Sequence, residues 1–235
     1  MTSTATRAEI PAPHAQAAGA AAPPRNGGAK VPVKRRFLKE FIVRPGVIGA
    51  VAPSSVPLAR QMVAGLDLAN AAAVVEFGPG SGVFTGEILR HIGAQTKFFA
   101  IERNAAMAAL VRDRFPGVVV HEENAANIDT LCAGMGIGET EPGPRGREGQ
   151  GGVDYILSGL PWPSFSDQLR TDILEAAHRA LKPGGQLVTF GYHVGLTMRG
   201  AWHFRAEVRR VFSSMTISPV VWRNIPPAFI YRCTK

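Results

Sequence analysis

Val74-Val75-Glu76-Phe77-Gly78-Pro79-Gly80-Ser81-Gly82 begins as an apolar run, turns on three alternate glycines and enters the helical pattern Val83-Phe84-Thr85-Gly86-Glu87-Ile88-Leu89-Arg90. A strand that passes through bare backbone into a helix lets a ligand approach peptide groups at the strand's C-terminal end. The spacing is G-x-G-x-G, whereas a pyrophosphate cradle has G-x-G-x-x-G, and an acid, Glu76, stands two residues before the first glycine. A carboxylate there repels phosphate and attracts an amino group.

A second acid points to a sugar. The apolar run Lys97-Phe98-Phe99-Ala100-Ile101 ends in Glu102, 20 residues beyond Gly82, the offset at which such a unit offers a carboxylate to ribose hydroxyls. S-adenosylmethionine has an α-amino group and a sulfonium where a dinucleotide has phosphates, together with a ribose. Glu76, Gly78, Gly80 and Gly82 therefore read as the cradle for its amino-acid end, and Glu102 as its ribose ligand. These residues resemble motif I of the class I, Rossmann-like methyltransferases, whose pattern is E/D-x-G-x-G-x-G.

Outward from the turn, strands and helices alternate. Strands are expected at 73–77, 97–102, 117–121, 153–158 and 186–192, and helices at 56–66, 83–91, 104–114, 166–181 and 201–211. Ser54 or Ser55 can cap the helix at 56. Closing strands at 216–222 and 228–233 flank Asn224-Ile225-Pro226-Pro227 as a hairpin. This order predicts an α/β, Rossmann-like doubly wound fold: a mostly parallel seven-stranded sheet with an antiparallel last strand.

At 235 residues the chain suits one domain with extensions. Residues 1–29 are dominated by Ala, Pro and Gly and predict a disordered tail; residues 30–66 hold a basic amphipathic helix and the cap segment; the catalytic domain spans 67–235. Within that domain the Gly/Pro-rich stretch 134–152 predicts a flexible loop. Phe37, Leu38, Phe41 and Ile42 form an apolar helical stripe beside Lys34, Arg35, Arg36 and Lys39. That pattern suits either a membrane-surface helix or a helix packed on the domain.

A net charge of +8 implies an anionic partner, nucleic acid or a lipid surface. No run approaches the roughly 20 apolar residues that span a bilayer, and no secretory signal opens the chain, so an intracellular protein is expected. Cys132 and Cys233 lack metal-ligand spacing, and no metal is expected.

The fourth strand ends in Ser158 and is followed by Gly159-Leu160-Pro161-Trp162-Pro163 at the catalytic face. Methyl transfer from a sulfonium is an in-line displacement in which alignment and exclusion of water matter more than a strong base. Methyltransferases of exocyclic adenine nitrogens have N-P/L-P-Y here; this chain keeps Leu160-Pro161 but has Gly159 for the Asn and Trp162 for the Tyr. Leu160, Pro161 and Trp162 are the expected acceptor platform, with Tyr192 and His193 as amine or phosphate contacts. Ser158 is grouped with the cofactor residues. Asn124 stands where related enzymes hold the adenine amino group, and it can equally cap a helix. Arg199 and Arg205 suit a lipid phosphate or a solvated basic face. Asp154, at the far end of its strand, takes no assigned role.

The S-G-L-P-aromatic stretch, the F-x-x-x-F...P-x-x-x-G-A-x-x-P-S-S segment and N-x-P-P-A near the C-terminus together resemble bacterial phospholipid N-methyltransferases. The resemblance implies a peripheral enzyme of the cytoplasmic membrane, docked on anionic lipid by its N-terminal helix, that methylates phosphatidylethanolamine. Methylation of a secondary metabolite, methylation of RNA adenine, and a cofactor-holding adaptor without turnover remain as alternatives.

Overall fold

The computed structural model describes residues 54–138, 152–197 and 199–235. The tail, the basic stripe at 34–42 and most of the 134–152 stretch lie outside them. β1 (Ala73–Phe77) is buried at all five positions, as a central strand covered on both faces must be. Parallel to it lie β2 (Lys97–Ile101) on one side and β4 (Val153–Ser158) on the other; β3 (Val119–His121) continues beyond β2, and β5 (Leu181–Tyr192) beyond β4. β7 (Ala228–Thr234) pairs antiparallel with both β5 and β6 (Ser214–Ile217). The order β3-β2-β1-β4-β5-β7-β6 makes a seven-stranded sheet whose last strand in sequence is the reversed one.

Among the described residues six helices cover the faces: α1 (Val56–Val63), α2 (Val83–Ile88), α3 (Ala105–Arg114), α4 (Ile128–Gly134), α5 (Asp167–Ala180) and α6 (Arg199–Val211). One apolar cluster joins β1 and β4 to α5 and α6 through Val75, Ile156, Leu174 and Phe204; another joins β1 to α1 and α2 through Val74, Leu58 and Ile88. No helix among the described residues is long and apolar enough to cross a membrane.

The helices expected at 56–66 and 83–91 end early, at Val63 and Ile88, the strand expected from 117 starts at Val119, and three further elements differ more. Helix α4 was not foreseen; Ile128 and Cys132, one turn apart, are its buried contacts. β5 starts at Leu181, five residues before the expected Gln186, because Val153 pairs with Leu181 across a bulge. β6 runs from 214 to 217 and stops before Pro219, which has no N–H for a ladder; only Val221 bridges again to Ala228. Asp154 organises the bottom of the sheet: Oδ2 accepts the N–H groups of Ala72 at 2.8 Å and Ala73 at 2.9 Å, and its carboxylate pairs with Lys182.

Two stretches far apart in sequence meet. Ser55 Oγ accepts the Leu58 N–H at 3.3 Å and so caps α1, while the Ser55 N–H donates to Asn224 Oδ1 at 3.1 Å, 169 residues away. Asn224 Nδ2 donates to the Pro226 carbonyl at 2.6 Å, and the side chain is buried. Asn224→Ala orphans both partners and is expected to destabilise the fold by about 1–3 kcal/mol, read as a lowered midpoint in thermal unfolding.

Candidate active site

The register of the parallel strands assembles the site. Phe77 stands opposite Ile101 on β2 and Ser158 on β4, so the residues that follow, Gly78, Glu102 and Gly159, leave the sheet side by side. Backbone bonds fasten them: Gly78 N–H donates to Ile101 O at 2.9 Å, Gly159 N–H to Phe77 O at 2.7 Å, and Glu102 N–H to His121 O at 2.9 Å. This is the edge at which ligands bind in open α/β sheets, where neighbouring crossovers diverge.

Gly78, Gly80 and Gly82 all have positive φ, at 63°, 52° and 76°. At Gly80 an added Cβ would meet no atom within 4 Å, so the loop borders open space there. Gly80 N–H donates to Glu102 Oε2 at 3.3 Å, and Asn104 N–H donates to Glu102 Oε1 at 2.9 Å. The acid thus spans from the turn to the start of α3. Burial raises the Glu102 pKa, and the two N–H bonds oppose that rise.

Glu76 lies beneath the turn with no solvent exposure. Its Oε2 accepts the Thr85 hydroxyl at 2.7 Å, whereas Oε1 has no hydrogen-bond partner. Burial pushes this carboxyl up to about 8, with Thr85 pulling the other way. A buried acid with one idle oxygen, a half-buried acid on the loop and an open glycine face suit a ligand with a cationic amino end and vicinal hydroxyls. Asn124 uses Oδ1 to accept the Ala126 N–H at 3.1 Å, the helix-capping role. Ser158 is fully buried, and its Oγ accepts the Leu160 N–H at 3.3 Å, closing the turn after β4.

Beside the turn lies a cavity of about 240 Å³ whose walls include Leu160, Pro161, Phe190, Tyr192, Phe204 and Tyr231. No charged side chain among the described residues lines it. Leu160 reaches back to the glycine turn: its Cδ2 would stand 2.9 Å from a Cβ at Gly78. Trp162 also lines the cavity but is 1% exposed, stacked on Phe204 at 5.3 Å with its indole N–H donating to Thr189 Oγ1 at 2.9 Å. It is a wall fixed in the core, and its N–H is not free for a substrate.

Tyr192 packs edge-on against Phe190 at 5.4 Å, and burial pushes its phenol up to about 12. His193 is exposed and rests against Trp222 at 5.8 Å. Arg205 donates to the Tyr231 hydroxyl at 2.7 Å and lies over the Phe229 and Tyr231 rings, which places a cation on the outer side of the cavity wall. Arg199 is exposed at the start of α6.

Sequence reading did not single out Thr85, Thr189 or Arg170. Thr189 joins three parts of the site, taking the Trp162 N–H and donating to the Ser158 carbonyl at 3.0 Å. Arg170, 1% exposed, pairs with Glu207 at 2.8 Å and with Asp167, and donates to the Phe165 carbonyl just after the Trp162 turn. The signal available in sequence was only that these polar residues sit in otherwise apolar strands or amphipathic helices.

No family model matches the chain. It is 32% identical over 199 residues to the ornithine lipid N-methyltransferase of Singulisphaera acidiphila, a match that spans 84% of this chain and 93% of that enzyme. The chain belongs to the S-adenosylmethionine-dependent methyltransferases. It is also 34% identical over 106 residues to the ribosomal RNA small subunit methyltransferase A of Methylococcus capsulatus, covering 44% of this chain and 36% of that one. Among solved structures, a TehB-like S-adenosylmethionine-dependent methyltransferase from Corynebacterium glutamicum superimposes with a TM-score of 0.54 at 14% identity, over 86% of this chain and 99% of the other. At that identity the likeness is one of fold. The methyltransferase thus combines the expected sheet with S-adenosylmethionine as its cofactor.

Proposed function

We propose that the methyltransferase acts at a membrane surface and transfers methyl groups to the headgroup amine of an aminolipid of the phosphatidylethanolamine or ornithine-lipid kind. The observation that carries the proposal is the cavity beside the glycine turn: aromatic and aliphatic, with no charged side chain among the described residues that line it, and so suited to hydrocarbon more than to a polar metabolite or a base. The similarity to an ornithine lipid N-methyltransferase supports the same class of acceptor.

When bound, S-adenosylmethionine would supply a methyl group activated by its sulfonium for the headgroup amine. Glu102 would accept from the ribose hydroxyls, and the idle Oε1 of Glu76 would face the amino-acid ammonium. The open face of Gly80 leaves room for the cofactor's backbone. Leu160 and Pro161 bring the acceptor amine next to the turn, and Trp162 and Phe204 exclude water from the reacting atoms. Tyr192, with its pKa near 12, stays a neutral phenol and acts as a hydrogen-bonding partner of the headgroup, not as a base. The acceptor nitrogen would first give up its ammonium proton to solvent, which frees the lone pair that takes the methyl group.

Glu102→Gln should weaken cofactor affinity roughly 10- to 100-fold by losing a charge-assisted pair, measured by titration calorimetry. The deciding experiment incubates the protein and labelled cofactor with vesicles containing either aminolipid, with total RNA and with a small-molecule extract. Label is expected in a lipid. Label confined to RNA or to a water-soluble product would overturn the assignment.

A further inference from the structure

We infer that the rim of the acceptor cavity is itself a membrane-docking surface, formed by Val194, Trp202, Trp222 and Ile225. The inference rests on the aminolipid reading above and assigns the place where the bilayer meets the domain. These four large apolar side chains are 67%, 66%, 68% and 83% exposed. They come from three segments: the 3-10 turn His193–Thr197, the start of α6, and the loop between β6 and β7.

Contacts draw the three segments together. Trp202 Nε1 donates to the Leu196 carbonyl at 2.9 Å, Trp222 lies against the His193 ring at 5.8 Å, and His193 N–H donates to the Pro227 carbonyl at 2.8 Å. The same turn forms the cavity wall, since Val194, Gly195 and Leu196 line it, as does Ala201 next to Trp202. The exposed ring of side chains is therefore continuous with the apolar interior. A chain leaving a bilayer beneath it would enter the cavity without crossing water.

Charge selects the occupant. From Gln186 to Lys235 the sequence has seven Lys and Arg residues against a single acid, Glu207, and that acid is engaged by Arg170 and Thr171. Arg199 and Arg223, each close in sequence to one of the rim tryptophans, are exposed. Tryptophans that are half apolar and half polar, flanked by arginine, match an anionic lipid–water interface.

The test uses the full chain and vesicles with and without phosphatidylglycerol. Of the three tryptophans Trp162 is buried, so quenching by lipids brominated near the headgroup should reach Trp202 and Trp222 and vanish in a W202F/W222F variant. The variant W202S/W222S/I225S should lose vesicle partition about thirty-fold or more while keeping wild-type cofactor affinity and its activity on a short-chain, monomeric aminolipid. Equal flotation of variant and wild type, unquenched tryptophans, or a dimer that the triple variant dissolves would overturn the proposal. If the wild type docks through these residues yet methylates no lipid, the docking surface stands and the acceptor assignment falls.

Discussion

Replacing Gly159 with asparagine is expected to lower methyl transfer more than about a hundred-fold, even though it restores the residue that adenine N-methyltransferases have at this place. A Cβ on Gly159 would stand 2.6 Å from the Gly78 carbonyl oxygen and 3.6 Å from Phe77 O. Both neighbours are backbone, so no rotamer change relieves the overlap. Either the end of β4 retreats, taking Leu160 with it, or the glycine turn shifts and carries the cofactor cradle. A displacement of about 1 Å at reacting groups costs on the order of a hundred-fold in rate. Gly80→Ala is the control: its Cβ meets nothing, and the left-handed φ costs only about 1 kcal/mol. That variant should fold with a small drop in melting temperature and lose affinity for the cofactor, because the added methyl occupies the space the cofactor needs. Calorimetry and thermal melts separate the two cases. An active Gly159→Asn enzyme that methylates adenine in RNA would show that the glycine is a matter of substrate choice and not of packing.

That Glu76, the glycine turn and Glu102 come together was legible in sequence because these parts are local. Glu76 and the three glycines share seven residues, and Glu102 follows at a distance fixed by one strand–helix–strand unit, so the fold sets them side by side. The acceptor side was less legible. Trp162 was expected as a platform for substrate, but its neighbours are Thr189, 27 residues on, and Phe204, both brought in by later elements. A tetrapeptide carries no information about what will cover it. For Asn124 the sequence left a helix cap and an adenine contact open, and the structure shows the capping bond to Ala126 N–H. Bulges and buried ion pairs, such as the early start of β5 and the position of Arg170, depend on long-range pairing that periodicity does not encode. The antiparallel placement of β7 was expected from the short Asn-Ile-Pro-Pro connection, whereas its insertion between β5 and β6 is decided by the sheet.

Glu76→Gln should separate stability from cofactor binding, with opposite signs. In the ligand-free fold the Glu76 carboxyl holds its proton up to about pH 8, while in the unfolded chain it ionises near 4.5. Its contribution to stability is thus full below about pH 4.5 and is lost as pH rises toward 8, a penalty of roughly 4–5 kcal/mol at 1.4 kcal/mol per unit. Glutamine keeps the acceptor for Thr85 and never ionises, so the variant should be more stable than the parent at pH 8 and equal to it near pH 4. Cofactor binding runs the other way. An ammonium beside Oε1 draws the proton off Glu76, so between pH 5 and 7 parent affinity should rise with pH and binding should release close to one proton. Titrations in two buffers of different ionisation enthalpy measure that release. The glutamine variant should bind about a hundred-fold more weakly near pH 7, with neither the proton release nor the slope, because a buried charge is what attracts the amino end. A variant that bound as tightly as the parent and kept the pH dependence would remove Glu76 from the cradle and leave it as a strut beneath the turn.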